Sequence, residues 1–199
     1  MNSTTTTAIA EPGLTPAHVA KAKLYIDQTK NSALGAIKGV SETQWIFKPA
    51  PDRWSIAEIV EHVIFVQERV LGPIREVLAA APPPPEDYDV DAVDAIVIHQ
   101  FPTRLVKATA PDFANPTGCL TKSDADARLQ QNCARLSQLV ESDADLRQHA
   151  IDAMPLKFVS NGAYGLMDGY QWILAAAAHA DRHTKQILEV KADPGFPRN

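Results

Sequence analysis

Apolar residues recur at helical spacing in four long stretches of this chain, and the residues between them mark where each helix begins and ends. Thr15 followed by Pro16 reads as an N-cap with proline at the first helical position. The helix it opens is predicted to run from Pro16 to about Lys38, with Val19, Ala22, Leu24, Ile26, Leu34 and Ile37 supplying much of its apolar content and Gly39 stopping it. Prolines 49 and 51 with Asp52 keep the stretch after it to a short turn. Ser55 and Glu58 then form an S-x-x-E capping box ahead of a second periodic run, Ile56, Ile59, Val60, Val63, Ile64, Val70, Leu71, Ile74, Val77 and Leu78. Gly72-Pro73 is expected to kink this helix, because an interior proline removes a backbone hydrogen bond and clashes with the preceding turn. The prolines at 82–85 end it.

Residues 86–122 have the weakest pattern: a short helix over Asp91 to Ile98, a break at Phe101-Pro102, and a surface loop APDFANPTGCLTK. Ser123 is expected to cap a third long helix with Leu129, Cys133, Leu136, Leu139 and Val140 as its apolar stripe. A helical turn over Leu146 to Ile151 and a loop MPLKFVSNGAYGLMDG follow, with KFVS as a piece of extended chain. The last helix is predicted from about Gly169 to Val190, stopped by Asp193-Pro194-Gly195. Four long amphipathic helices predict an all-α four-helix bundle over residues 14–197, with a long connection between helices 2 and 3. The Thr-rich stretch 1–13 has too little apolar content to fold and is expected to be a disordered tail.

Composition narrows the function classes. The chain has 199 residues, enough for one domain, with 45% apolar and 22% charged residues and a net charge of −5. Scattered Lys and Arg in an acidic chain give no nucleic-acid groove and no membrane-surface patch. No apolar run approaches the roughly 18 residues of a membrane span, and the N-terminus lacks the basic and apolar regions of a signal peptide. Two cysteines, Cys119 and Cys133, stand in no paired-ligand spacing, so reduced thiols in the cytoplasm are the expectation.

Candidate chemistry is concentrated in AAAAHADRHTKQILEV, residues 175–190. On a helical wheel Trp172, Ala175, Ala176, His179, His183, Gln186, Ile187 and Val190 fall in a stripe about 100° wide. Two histidines four apart on an apolar face have a metal-ligand spacing, since both imidazoles reach one ion, and the preceding alanines leave room that leucine would fill. The alternative is a pair of hydrogen-bonded core histidines, for which the stripe offers only Gln186 as a polar partner. His62 on the second helix is a third candidate ligand, although the wheel places it outside the centre of the apolar stripe beside Glu58 and Arg69, where a lone histidine is more often simply exposed to solvent. Glu58, one turn before it, is a candidate base or orienting group, or simply the capping-box residue. His18, His99 and His149 are assigned to the surface.

Several features occur in a recognisable order. Trp54-Ser55 opens the second helix and His62 follows the serine by seven positions. FPTRLVKATAPDFANPTG carries an arginine and a P-x-G loop. Gly165, Tyr170-Gln171-Trp172, His179 and Arg182-His183 precede the tail Asp193-Pro194-Gly195-Phe196-Pro197. Over residues 15–197 this order resembles the DinB/YfiT-like superfamily of four-helix bundles, in particular its DinB-like branch. The resemblance implies a divalent metal, often nickel or zinc, held by His62, His179 and His183 with a position left open. It also implies a small-molecule substrate and chemistry of the thiol S-transferase, mycothiol-dependent isomerase or metal-dependent hydrolase type, with a low-molecular-weight thiol among the partners. Arg104 and Arg182 are candidate anion-binding groups near such a site, or surface arginines. A binding protein without turnover, and a helical interaction module that pairs as a homodimer, are the competing readings.

Overall fold

A computed structural model describes residues 13–104, 112–142 and 145–198. The predicted disordered tail, apart from Gly13, and residues 105–111 of the weakly patterned segment lie outside the described residues. Helix α1 spans Pro16–Ile37, and Thr15 caps it by accepting from the His18 amide while the His18 ring accepts from the Thr15 amide. Gly39 follows in the left-handed conformation, with φ +73°, which a residue without Cβ adopts at little cost. The turn after it contains a short helix α2, Glu42–Trp45, started by Ser41. Helix α3, Ile56–Arg69, starts at the Ser55–Glu58 capping box. The expected kink takes the form of a π-helical turn over Val70–Ile74 around Pro73, before α4 resumes at Arg75–Ala79. The wider turn relieves the clash between the proline ring and the preceding carbonyl.

Helix α5, Val90–His99, is capped by Asp89, and α6 spans Lys122–Ser142. The capping side chain of α6 is Thr121 rather than the expected Ser123: the Thr121 hydroxyl accepts from the Asp124 amide at 3.1 Å and donates to the Asp124 carboxylate at 2.7 Å. The next segment also differs from expectation. Residues 150–152 form strand β1 (Ala150–Asp152), which pairs antiparallel with β2 (Leu166–Asp168), Ala150 lying opposite Asp168. KFV belongs to helix α7, Met154–Val159, because Pro155 pre-sets its first turn and Leu156 is buried below it. Three-residue strands are too short to show alternation in sequence.

Helix α8, Gly169–Lys191, is the centre of the molecule. It packs against both α1 and α3, which also flank α6, so α8 and α6 occupy opposite corners of a four-helix bundle. Burial extends all round α8 in its first half, where Tyr170, Ile173, Leu174 and Ala175 to Ala178 are enclosed. One apolar cluster collects around residues 170–177 of this helix; a second collects around Ala180, Ile187 and Val190 with Ile56 to Ile64 of α3. The two histidines of α8 lie along the seam between them. Among the described residues no helix is long and apolar enough to cross a membrane.

The start of α8 is fixed by a buried ion-pair group. Arg147 donates to both oxygens of Asp94 at 3.0 and 2.7 Å and to Asp168 at 2.7 Å, and its guanidinium lies 4.3 Å over the Tyr170 ring. Asp168 is also the α8 N-cap, accepting from the Gln171 amide at 2.8 Å, while Gln171 donates to Asp94 at 2.9 Å. Burial opposes the Arg147 charge, but the hydrogen bonds to Asp94 and the charges of Asp168 and Asp94 outweigh it and raise the pKa above its ordinary value. Removing one partner of such a group leaves the others buried without compensation. Arg147→Ala is therefore expected to destabilise the protein by about 3–5 kcal/mol in urea unfolding followed by circular dichroism. A loss below about 1 kcal/mol would mean that water replaces the guanidinium without strain.

Candidate metal centre

Three histidines from two helices meet at the seam. His62 comes from α3, and His179 and His183 from successive turns of α8. Ring centroids are 4.8 Å apart for His62 and His179, 4.7 Å for His62 and His183, and 4.3 Å for the α8 pair. One ring nitrogen from each lies within 4.8 Å of the other two. His62 and His183 are buried, 4% and 7% exposed, and His179 is half-buried. The exposure open to His62 in the sequence is thus corrected: residues 112–118 cover the face of α3 on which it stands, and its Nδ1 lies 2.7 Å from the Ala114 carbonyl oxygen.

The outer hydrogen bonds decide which nitrogen of each ring faces inward. A carbonyl oxygen only accepts, so His62 carries its proton on Nδ1 and presents the Nε2 lone pair to the centre. His183 Nδ1 lies 2.8 Å from Gln186 Oε1, and Arg104 Nη1 donates to that same atom at 3.3 Å. Because guanidinium only donates, the Gln186 atom between them is oxygen, and His183 also carries Nδ1–H with Nε2 free. His62 Nε2 stands 3.0 Å from His179 Nε2. Nδ1 of His179 is buried without a hydrogen-bond partner. Two lone pairs therefore converge on a third imidazole with no acidic side chain between them.

Electrostatics keeps the donors neutral. Burial lowers the His62 pKa, partly offset by the Ala114 bond. Burial, His183, His62 and Arg182 hold His179 well below its ordinary value. Burial, then His62, push His183 down to about 3. Neutral imidazole is the ligand form, so protons do not compete for this site at pH 7. The donor set fits a divalent first-row ion: tetrahedral coordination by imidazole places nitrogens about 3.3 Å apart, within the range this cluster spans. Trp54 closes one side, its ring 4.9 Å from His62 and 6.3 Å from His183.

The remaining candidates are placed differently. Glu58 gives one oxygen to Lys48 at 2.8 Å and the other to the Ser55 amide at 2.7 Å, and its pKa is lowered because these bonds outweigh its burial. Arg104 grips Glu189 through Nε and Nη2 at 2.7 and 2.9 Å, besides its bond to Gln186. Arg182 is half-buried beside His183. The Ala114 carbonyl, and Glu61, whose carboxylate accepts from the Thr117 and Gly118 amides, carried no signal in sequence, since both contacts depend on a distant loop.

A family model described as the DinB superfamily matches residues 25–187. YuaE of Bacillus subtilis (strain 168), an uncharacterised protein, is 22% identical over 160 residues, which cover 78% of this chain and 88% of that protein.

With folded pKa values below the ordinary 6.5, these histidines take up protons more readily in the unfolded chain. Their contribution to stability is complete above that pH and is lost as pH falls toward the folded values. The urea midpoint of metal-free protein is expected to decline between about pH 7.5 and 5.5, and to decline less in His183→Asn. Equal slopes for the two proteins would contradict the burial of a neutral His183.

Proposed function

From a chain that belongs to the DinB superfamily and gathers three neutral imidazoles, we propose a protein that binds one divalent ion, zinc or nickel, through His62, His179 and His183. We further propose that it acts as a metal-dependent enzyme of the thiol S-transferase or hydrolase type on a small-molecule substrate. The observation that carries this reading is the pair of acceptor-only partners, the Ala114 carbonyl and Gln186 Oε1, which turn two Nε2 lone pairs toward one point. A core arrangement built only for packing has no need to aim two acceptors at a third ring. Imidazole donors suit several first-row ions, zinc and nickel among them.

Held by His62, His179 and His183, a divalent ion would supply Lewis acidity to water- or thiol-dependent chemistry. The protein's own groups set the conditions for that chemistry. No carboxylate joins the donor set, so the charge of the ion is not neutralised by its ligands. Trp54 shields the imidazoles on one side and offers an apolar face to a substrate. Gln186 and Arg104 hold His183 rather than substrate. Glu58 serves as helix cap and Lys48 partner, and a base role would require release of one of those bonds. The acidic net charge argues against nucleic acid as substrate, and free Cys119 and Cys133 suit the reducing cytoplasm.

The test is turnover of zinc- and nickel-loaded protein against His62→Ala and His179→Ala. Substrates are a low-molecular-weight thiol with an alkylating electrophile, an activated ester and an amide. One of these reactions is expected to proceed in the wild type and to fall by about 10²–10³ or more in both variants. Metal-loaded wild type indistinguishable from the variants in every assay would remove the enzyme reading and leave metal binding alone.

A further inference from the structure

Glu61 is 5% exposed, precedes His62 on α3, and has no part in the donor set. Its Oε2 accepts from the amides of Thr117 at 2.6 Å and Gly118 at 2.7 Å, and its Oε1 accepts from the Thr117 hydroxyl at 2.8 Å. The Gly118 amide thus shares the oxygen already bonded by the preceding one, and Gly118, at φ +73°, turns the chain away beyond it. Successive amides in such a turn form a concave anion cradle, and here the anion is a side chain of the same protein. Three positions upstream of Thr117, the Ala114 carbonyl meets His62 Nδ1 at 2.7 Å. Adjacent residues on a helix point about 100° apart, so α3 grips one loop at two places with neighbouring side chains. The Glu61 grip sets where the loop lies; the His62 contact depends on where it lies.

We propose that Glu61 is a positioning residue of the metal centre. Its carboxylate fixes the 114–118 loop so that the Ala114 carbonyl holds the proton of His62 on Nδ1 and leaves Nε2 directed at His179 and His183. The inference rests on the metal-site reading of the three histidines. Removing the carboxylate frees the loop, the carbonyl leaves the ring, and His62 redistributes between its two neutral tautomers. Glutamine preserves the grip: its Oε1 accepts from both amides, and its NH2 group donates to the Thr117 hydroxyl, which has lone pairs to receive it.

The test compares wild type, Glu61→Ala and Glu61→Gln in two measurements. Long-range 1H–15N correlation on metal-free protein reads the His62 tautomer directly. Zinc competition with a chromophoric chelator reads affinity. Wild type and Glu61→Gln are expected to show His62 as the Nδ1–H tautomer, while Glu61→Ala shows a mixture and binds zinc about 10–100-fold more weakly. Should Glu61→Ala fail to fold by circular dichroism, Gly118→Val takes its place. It leaves Glu61 intact, strains the loop at a positive φ closed to β-branched residues, and is expected to give the same tautomer mixture. A folded Glu61→Ala, or in its place a folded Gly118→Val, with the wild-type tautomer and wild-type zinc affinity overturns the proposal. Equal weakening in Glu61→Ala and Glu61→Gln with the tautomer unmoved also overturns it. Wild type that binds no zinc, while Glu61→Ala changes the tautomer, defeats the metal reading and leaves the positioning role standing.

Discussion

An imidazole buried in a helical bundle needs a partner at each ring nitrogen, and an unmet nitrogen costs about 1–3 kcal/mol. Here three such rings are stacked on the seam between two apolar clusters, and their surroundings are organised around that constraint. Outer acceptors at Ala114 and Gln186 meet the Nδ1 atoms of His62 and His183. The inner nitrogens are left to one another, which neutral rings satisfy only in part. Small side chains at Ala175 to Ala178 and Ala180 let α8 run through the middle of the bundle, and the histidines occupy the positions where α3 approaches it. His179 Nδ1 has no partner on its outer side, and the three inner nitrogens are grouped closely enough that one divalent ion could be held among them.

The two ends of α8 divide the labour. At its N-terminus, Asp168, Arg147, Asp94 and Gln171 form a closed set of charge-assisted hydrogen bonds that fixes where the helix starts. From that fixed start, the four-residue interval between His179 and His183 places both rings on one line. Farther along, Gln186 and Glu189 extend the same face to hold Arg104, tying the segment after α5 to the site. Specificity of position comes from polar contacts at both ends, while the alanines between contribute close packing.

Legibility in the sequence followed the range of the interactions. Caps and periodic runs are local, so α1, α3 and α8 were readable to within a residue or so at their starts, and the i,i+4 histidine pair was visible without a structure. The Pro73 kink was readable as a break but not as a π-turn, because proline fixes what is lost rather than how the backbone adjusts. Thr121 and Ser123 are both acceptable caps by residue type, and only the bond to Asp124 separates them. KFVS misled because β-branched and aromatic residues favour strands while Pro155, just before them, starts a helix. The burial of His62, already a candidate ligand, was hidden for a different reason. That residue's wheel position is peripheral on α3, and it is covered by Trp54, by the α8 histidines and by a loop some fifty residues later, anchored by Glu61. No periodicity within a single helix contains that information.

The central claim is that the three imidazoles hold one metal ion, and elemental analysis of untagged protein tests it most directly. Wild type and His183→Ala would be measured side by side, as purified and after exposure to zinc or nickel. About one ion per chain in the wild type, and little in a variant that keeps its helical circular dichroism, is the expected result. No ion in either protein under any of these conditions would contradict the claim and make the histidines a structural feature of the bundle.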